Sequence, residues 1–230
     1  MTPDAGDALD FDLNGVALTA DLSGALFWPA TGTLVVADLH LEKGSALARQ
    51  GSLLPPYDSR TTLRRLAAVL ARYRPQRVIC VGDSFHDRDA AARLDGADAD
   101  LLRRLVEGCD WLWLTGNHDP AAPAALGGRT AAEATLGPLV FRHQARPGRV
   151  AGEISGHFHP KASLSWRGRR VGGRCFVAGR ERVILPAFGA YAGGLDVLEP
   201  AIAGLFAGRF QALLLGRSRL RGFSAAQLRG

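Results

Sequence analysis

Six histidines occur in the chain: His40, His86, His118, His143, His157 and His159. Each sits at or just after the end of an apolar segment that reads as a strand. Asparagine occurs only twice, and Asn117 stands beside His118. Asp38, Asp83 and Asp87 occupy the same kind of position. In an extended segment, side chains two residues apart point the same way, so Asp38-Leu39-His40 can aim a carboxylate and an imidazole at one cation. His157-Phe158-His159 repeats that spacing between Gly156 and Pro160. Asp83 follows Gly82, a residue that lets the chain turn, and its two oxygens can bridge two cations. Asn117 offers an amide oxygen and His143 a further imidazole.

Together Asp38, His40, Asp83, Asn117, His143, His157 and His159 are more donors than the roughly four a zinc ion takes. They suit two ions that share a carboxylate. A nitrogen and oxygen set without thiolates favours Mn, Fe, Zn or Co in an open catalytic site over a structural zinc. Cys80, Cys109 and Cys175 have neither zinc spacing nor a disulfide framework, so a reducing cytoplasm is the expected compartment. Cys80 reads as a strand residue in the core.

The elements that must position these donors can be read in outline. Residues 11–13 and 16–18 flank Asn14-Gly15, a two-residue hairpin signal. Strands are expected at 25–28, 33–37, 77–81, 111–114, 139–141, 153–155, 164–166, 174–177 and 183–187. Helical spacing predicts a helix over 58–74, capped by Asp58 or Ser59 and stopped by Pro75, and a second over 98–108. Helices and strands alternate early and strands dominate late, which predicts an α/β layered domain with a mixed sheet. In such sheets ligands bind beyond the carboxyl ends of strands, where the histidines fall.

The chain has 230 residues, with 47% hydrophobic and 22% charged, which suits one folded domain over 1–230 and excludes dominant disorder. The stretch 200–230 mixes apolar residues with Arg and does not resolve into elements. No apolar run reaches the roughly 18 residues of a membrane span, and the Asp-rich start does not read as a secretory signal. The net charge is +6, and all cationic residues but Lys43 and Lys161 are Arg. Arg binds phosphate in a planar two-pronged way, so a nucleic-acid partner is compatible with this balance. The basic turn 166–170 is expected to present Arg169 and Arg170 beside the cleft, with Arg174 close behind. Arg217, Arg219 and Arg221 would share a face if extended.

The series Asp38-Leu39-His40, Gly82-Asp83, Gly116-Asn117-His118-Asp119, His143 and Gly156-His157-Phe158-His159 resembles the calcineurin-like metallophosphoesterase superfamily, with every motif block in order. The resemblance implies a four-layer α-β-β-α sandwich of two mixed sheets flanked by helices. It implies one metal on Asp38, His40, Asp83 and His159, and another on Asp83, Asn117, His143 and His157. It makes His118 the proton donor. Asp38 through Gly44, the stretch 53–58, Gly82 through Asp87 and Pro186 through Tyr191 are similar to a narrower bacterial branch, the ligase-associated metallophosphoesterases. That likeness implies a Mn-dependent phosphodiesterase and DNA endonuclease in repair, associated with a DNA ligase, a helicase and a nuclease of the metallo-β-lactamase type. Many family members carry Asp three residues after the bridging Asp, to orient the catalytic His. Here His86 stands there and Asp87 follows, so either could orient His118, or neither. The competing expectations are a small-molecule phosphatase or nucleotide pyrophosphatase on the same fold, and a non-catalytic scaffold, which would be expected to lack ligands or His118.

Overall fold

The computed structural model describes residues 6–52, 55, 57–119, 124–166 and 169–229. Leu53, Leu54 and Pro56 of the branch-like stretch, Arg167 and Gly168 of the basic turn, and the Arg169 side chain lie outside the described set.

The chain opens with three antiparallel strands, β1 (Ala8–Leu13), β2 (Val16–Asp21) and β3 (Leu26–Trp28). Asn14 and Gly15 both take left-handed backbone (φ 53° and 78°) at the β1–β2 turn, as a two-residue hairpin requires. β4 (Thr33–Val36) pairs antiparallel with β3 and parallel with β5 (Arg77–Val81), which runs parallel to β6 (Asp110–Leu114) and then β7 (Arg129–Ala131). These strands form a seven-stranded sheet in chain order.

The second sheet is built from β8 (Glu133–Leu136), β9 (Leu139–Arg142), β10 (Glu153–Ser155), β11 (Lys161–Trp166), β12 (Arg169–Ala178), β13 (Arg182–Ile184), β14 (Gln211–Leu215) and β15 (Leu220–Ser224). Its order is β15-β14-β12-β13-β10-β9-β8, with β11 paired to the first half of β12 as a ribbon. β9, β10 and β13 run parallel to one another, so both sheets are mixed. The stretch 200–230, unread in the sequence, supplies two strands of this sheet and two short helices, α5 (Pro200–Ala203) and α6 (Ala225–Arg229).

Alternation along the strands builds the layers. Val35, Ile79, Val81, Leu112 and Leu114 point inward and meet Phe141, Ile154, Phe176, Val183 and Leu213 of the other sheet. Their neighbours Leu34, Val36, Val78, Cys80, Trp111 and Trp113 point outward against Leu63, Leu66, Val69, Leu102 and Val106. Those residues come from α2 (Asp58–Tyr73) and α4 (Gly96–Glu107), the expected helices; α3 (Ala90–Arg93) joins the same cluster through Ala90, and α1 (Lys43–Arg49) precedes α2 in the chain. On the other outer face Cys175, Val177, Ile184 and Leu214 pack with Ile202, Phe206 and Leu228. The result is a four-layer α/β sandwich of two mixed sheets flanked by helices.

Two caps differ from expectation. Neither Asp58 nor Ser59 caps α2. The Asp58 carboxylate accepts the Gly44 N–H at 2.9 Å, and the Ser59 hydroxyl bridges the Glu42 N–H (2.7 Å) and carboxylate (2.8 Å). Both side chains are drawn from the helix end to fasten the loop that follows β4. α4 starts at Gly96 rather than Asp98 because the Asp95 carboxylate accepts the Ala97 N–H.

Phe141→Ala removes a fully buried ring from between the sheets. It is expected to lower unfolding stability by about 3–5 kcal/mol in urea titration. The same truncation at exposed Val171 should cost under ~0.5 kcal/mol, and equal effects would contradict this layering.

Candidate active site

The carboxyl ends of β4, β5, β6, β9 and β10 stop at one level of the sandwich, and the expected donors follow them directly. An Ala37–Ala187 bridge joins the two sheets beside this point. The backbone there is not extended, which corrects the reading of Asp38-Leu39-His40 as a strand pair. Asp38 (φ 54°), His40 (42°), Asp83 (45°), His157 (71°) and His159 (47°) are all left-handed. For such residues that conformation costs roughly 1 kcal/mol or more each, so the surroundings must impose it. They do so by zipping the two loops together: Asp38 N–H donates to Gly82 O (3.2 Å), His40 N–H to Asp83 O (2.9 Å) and Leu41 N–H to Ser84 O (2.9 Å).

Two glycines let the side chains approach. A Cβ on Gly82 would collide with the His143 ring, and one on Gly116 would collide with Asp83. The glycines ahead of Asp83 and Asn117 are therefore steric requirements of the site as much as turns.

Two donor groups that include a carboxylate result, and His40 also groups with His86 and His118. Asp38, His40 and His159 bring one atom each within 4.8 Å of one another, and so do Asp83, His143 and His157. His40 Nε2 faces His159 Nε2 at 3.1 Å. In the second group His157 Nδ1 lies 3.1 Å from His143 Nε2, and Asn117 Oδ1 is 3.0 Å and 2.9 Å from these two. Asp83 lies between the groups, with Oδ2 3.3 Å from His143 Nε2 and 3.9 Å from His40 Nε2. His157 and His159, two residues apart, thus go to different groups. The separation follows from the left-handed turn at each of them, and it overturns a shared aim for the pair.

Second contacts fix which nitrogens point inward. A carbonyl only accepts, so His143 Nδ1 donates to Val81 O (3.3 Å), which leaves Nε2 as the nitrogen that faces Asp83 and Asn117. His118 Nδ1 likewise donates to His86 O at 2.8 Å, while its backbone N–H donates to Asp83 Oδ1 at 2.9 Å. The orienting group for His118 is thus the main chain of His86. The His86 ring stacks on His118 with centroids 5.2 Å apart. Asp87 is turned away, held by Arg93 at 2.6 Å.

Asp119, read only as the end of a motif, proves to be a brace. Its carboxylate accepts N–H groups from Ser84 (2.7 Å), Phe85 (3.1 Å) and Gly116 (3.1 Å), tying the loop after β5 to the loop after β6. Only the fold brings those amides to it. Arg170 stands outside the donor set. It is exposed on the β11–β12 ribbon and bonded to the Ser163 hydroxyl at 2.9 Å.

The electrostatics suit cation binding. Burial, then the neighbouring His159, push the His40 imidazole down to about 2, so it is neutral with a free lone pair. Burial and His143 lower His157 as well. Burial pushes the Asp83 carboxyl up, but the hydrogen bond and charge of His143, the His118 N–H and His40 outweigh it and keep it ionised. Burial disfavours a charged His143, yet Asp83 and Asp38 hold it above its ordinary value of 6.5. Burial and the nearby Asp83 push Asp119 up to about 6, against the pull of its three N–H partners. Imidazole nitrogens and carboxylate oxygens converge here at hydrogen-bonding separations with mostly lone pairs between them. That donor set fits a borderline or hard divalent cation in each group.

Comparison with known proteins agrees with the fold. The family model of the calcineurin-like phosphoesterases matches residues 32–158. The chain belongs to that family and is a metal-dependent phosphoester hydrolase. The crystal structure of Pseudomonas putida nuclease MPE aligns with a TM-score of 0.74 and 29% identity, covering 93% of this chain and 100% of that one. YfcE, a phosphoesterase from E. coli, aligns at a TM-score of 0.40 and 14% identity over 84% of this chain and 98% of its own. No curated protein sequence matches the chain. Among the described residues no helix is long and apolar enough to cross a membrane.

Metal loading is expected to weaken on acidification. His143, held above its ordinary value, must shed a proton before its Nε2 can coordinate, whereas burial pushes His40 and His157 down and favours their neutral form. Manganese titration at about pH 5.5 should give at least ~10-fold weaker binding than at about pH 7.5. Equal affinities would contradict the assignment of His143.

Proposed function

We propose that the protein is a binuclear-metal phosphodiesterase, a Mn-dependent DNA endonuclease that works in bacterial DNA repair. The observation that carries the reading is Asp83: one carboxylate placed between two imidazole-rich donor groups, with His118 fastened to it. Asp38, His40, Asp83 and His159 would hold one ion, and Asp83, Asn117, His143 and His157 the other. Divalent cations bound there supply an activated water as nucleophile and offset charge on the phosphoryl oxygens.

The remaining chemistry belongs to the chain. The leaving alkoxide of a diester is a strong base, so a proton donor lowers the barrier. His118 suits that role. Its Nδ1 proton is committed to the His86 carbonyl, which leaves Nε2 as the nitrogen that can carry and release a proton. The stacked His86 ring restricts His118 to that orientation.

Support for DNA as substrate comes from likeness to the Pseudomonas putida nuclease over almost the whole chain, from the Arg excess, and from the branch-like motifs. The three cysteines without disulfide spacing favour a reducing cytoplasm, and the likeness of the motifs to the ligase-associated branch favours action alongside a DNA ligase, a helicase and a metallo-β-lactamase-type nuclease. The β11–β12 ribbon leaves the site two residues after His159 and extends roughly 17 Å at ordinary strand rise. Arg169 and Arg170 at its far end suit contact with the phosphate backbone.

Purified protein with manganese should nick supercoiled DNA and turn over bis-p-nitrophenyl phosphate. Activity should vanish with chelator or in Asp83→Ala, and fall about 10²–10⁴-fold in His118→Ala while metal content is kept. Full activity in His118→Ala would remove it from the mechanism. Turnover of small esters with intact DNA would move the substrate to a small molecule. Replacing Arg169 and Arg170 together should flatten the salt dependence of DNA binding by about two units of slope. An unchanged slope would place both away from phosphate.

A further inference from the structure

The chain places its two lysines with evident selectivity. Arg serves at every other cationic position, yet Lys43 and Lys161 both border the donor groups. Lys43 lies three residues after His40 and opens α1, and its N–H is bonded to His40 O at 3.2 Å. Lys161 lies two residues after His159 and opens β11, and its N–H is bonded to Leu195 O at 2.8 Å. Its stem passes over Gly194, where an added Cβ would come within 3.1 Å of Cε. The ligands they follow, His40 and His159, face each other with Nε2 atoms 3.1 Å apart, so both lysines stand beside the same donor group. Burial pushes the Lys43 ammonium down, Asp58 opposes this and Lys161 adds to it. Among the described residues neither lysine forms an ion pair. Asp58, the carboxylate near Lys43, is aimed at the Gly44 N–H.

Two cations beside a centre built to hold divalent ions repel one another, with Asp58 opposing that repulsion at Lys43. An anion placed among them removes the penalty, and a cleft of one sign concentrates such ligands. The choice of Lys over Arg has a physical reason. A guanidinium fork binds carboxylates two-pronged, so one bordering the donor groups would compete with a cation for them, whereas an ammonium is a compact point charge.

We propose that Lys43 and Lys161 form a cationic subsite for a phosphate adjacent to the scissile one, which makes the site prefer a polynucleotide strand over an isolated diester. This rests on the phosphodiesterase reading above. The scissile phosphate lies on the donor groups, and the next phosphate of the strand meets the two ammonium groups.

The test uses the full-length, manganese-loaded protein and its Lys43→Gln, Lys43→Ala and Lys161→Ala variants, each checked for unaltered metal content. Arg149→Ala, at the opposite pole of the sandwich, is the control. KM and kcat are measured on a single-stranded oligonucleotide, on bis-p-nitrophenyl phosphate and on a nucleoside diphosphate. The expected result is a rise of about tenfold in KM for the oligonucleotide, larger than any change for the small diester, with kcat for the oligonucleotide nearly kept. The salt slope should also fall by about one unit per lysine. If the unmutated protein cleaves the oligonucleotide and its KM is unmoved in all variants, the subsite is overturned and the endonuclease reading stands. Equal losses on both diesters would also overturn the subsite, and so would a loss confined to the nucleoside diphosphate. Failure of the unmutated protein to cleave any strand would overturn both proposals.

Discussion

The buried carboxylate of Asp83 is the interaction on which the rest of the structure depends. It is withdrawn from water, ionised, and shared by two donor groups, each of which draws residues from both sheets. Burying a charge is costly unless it is paired and hydrogen-bonded. Here the His118 N–H holds one oxygen, and His143 and His40 face the other. The arrangement requires strands of both sheets to end at the same height. The alternating apolar faces of β4, β5, β6 and β10 set that height, because their inward side chains lock the sheets together directly beneath the site.

The ends of those strands carry backbone strain that the surrounding loops over-determine. Five candidate ligands are left-handed: hydrogen bonds between the loops after β4 and β5 hold Asp38, His40 and Asp83, and the His157 N–H is held by the Asp38 carboxylate. Asp119, Glu42, Ser59 and Asp58 extend the same bracing outward by accepting backbone N–H groups or linking to groups that do. Stability and function are therefore coupled here. Polar side chains that could have capped helices are spent on holding the ligand loops still.

Much of this was legible in the sequence, for specific reasons. Strands that are continuous apolar runs, such as Arg77–Val81 and Asp110–Leu114, declared themselves, and so did the Asn14-Gly15 turn. The donor residues were legible because rare polar side chains stood directly after those strands. Their backbone conformation was not legible, because two-residue spacing reads as extension when no tertiary contact is in view. β7 and β8 escaped because they are short, half-exposed and polar at alternate positions. The role of the His86 carbonyl in aiming His118 was invisible for a deeper reason: a main-chain acceptor leaves no mark in residue type. The use of Asp58 and Ser59 was misread because a cap is the local answer, and the loop after β4 supplied a distant competitor.

The account stands or falls on Asp83 joining two ions into one centre. Electron paramagnetic resonance of the manganese-loaded protein, combined with metal counting, tests this most directly. The account predicts about two ions per chain with a spin-coupled signal, and loss of that coupling in Asp83→Ala. A single uncoupled ion in the unmutated protein, or coupling that survives in Asp83→Ala, would contradict it.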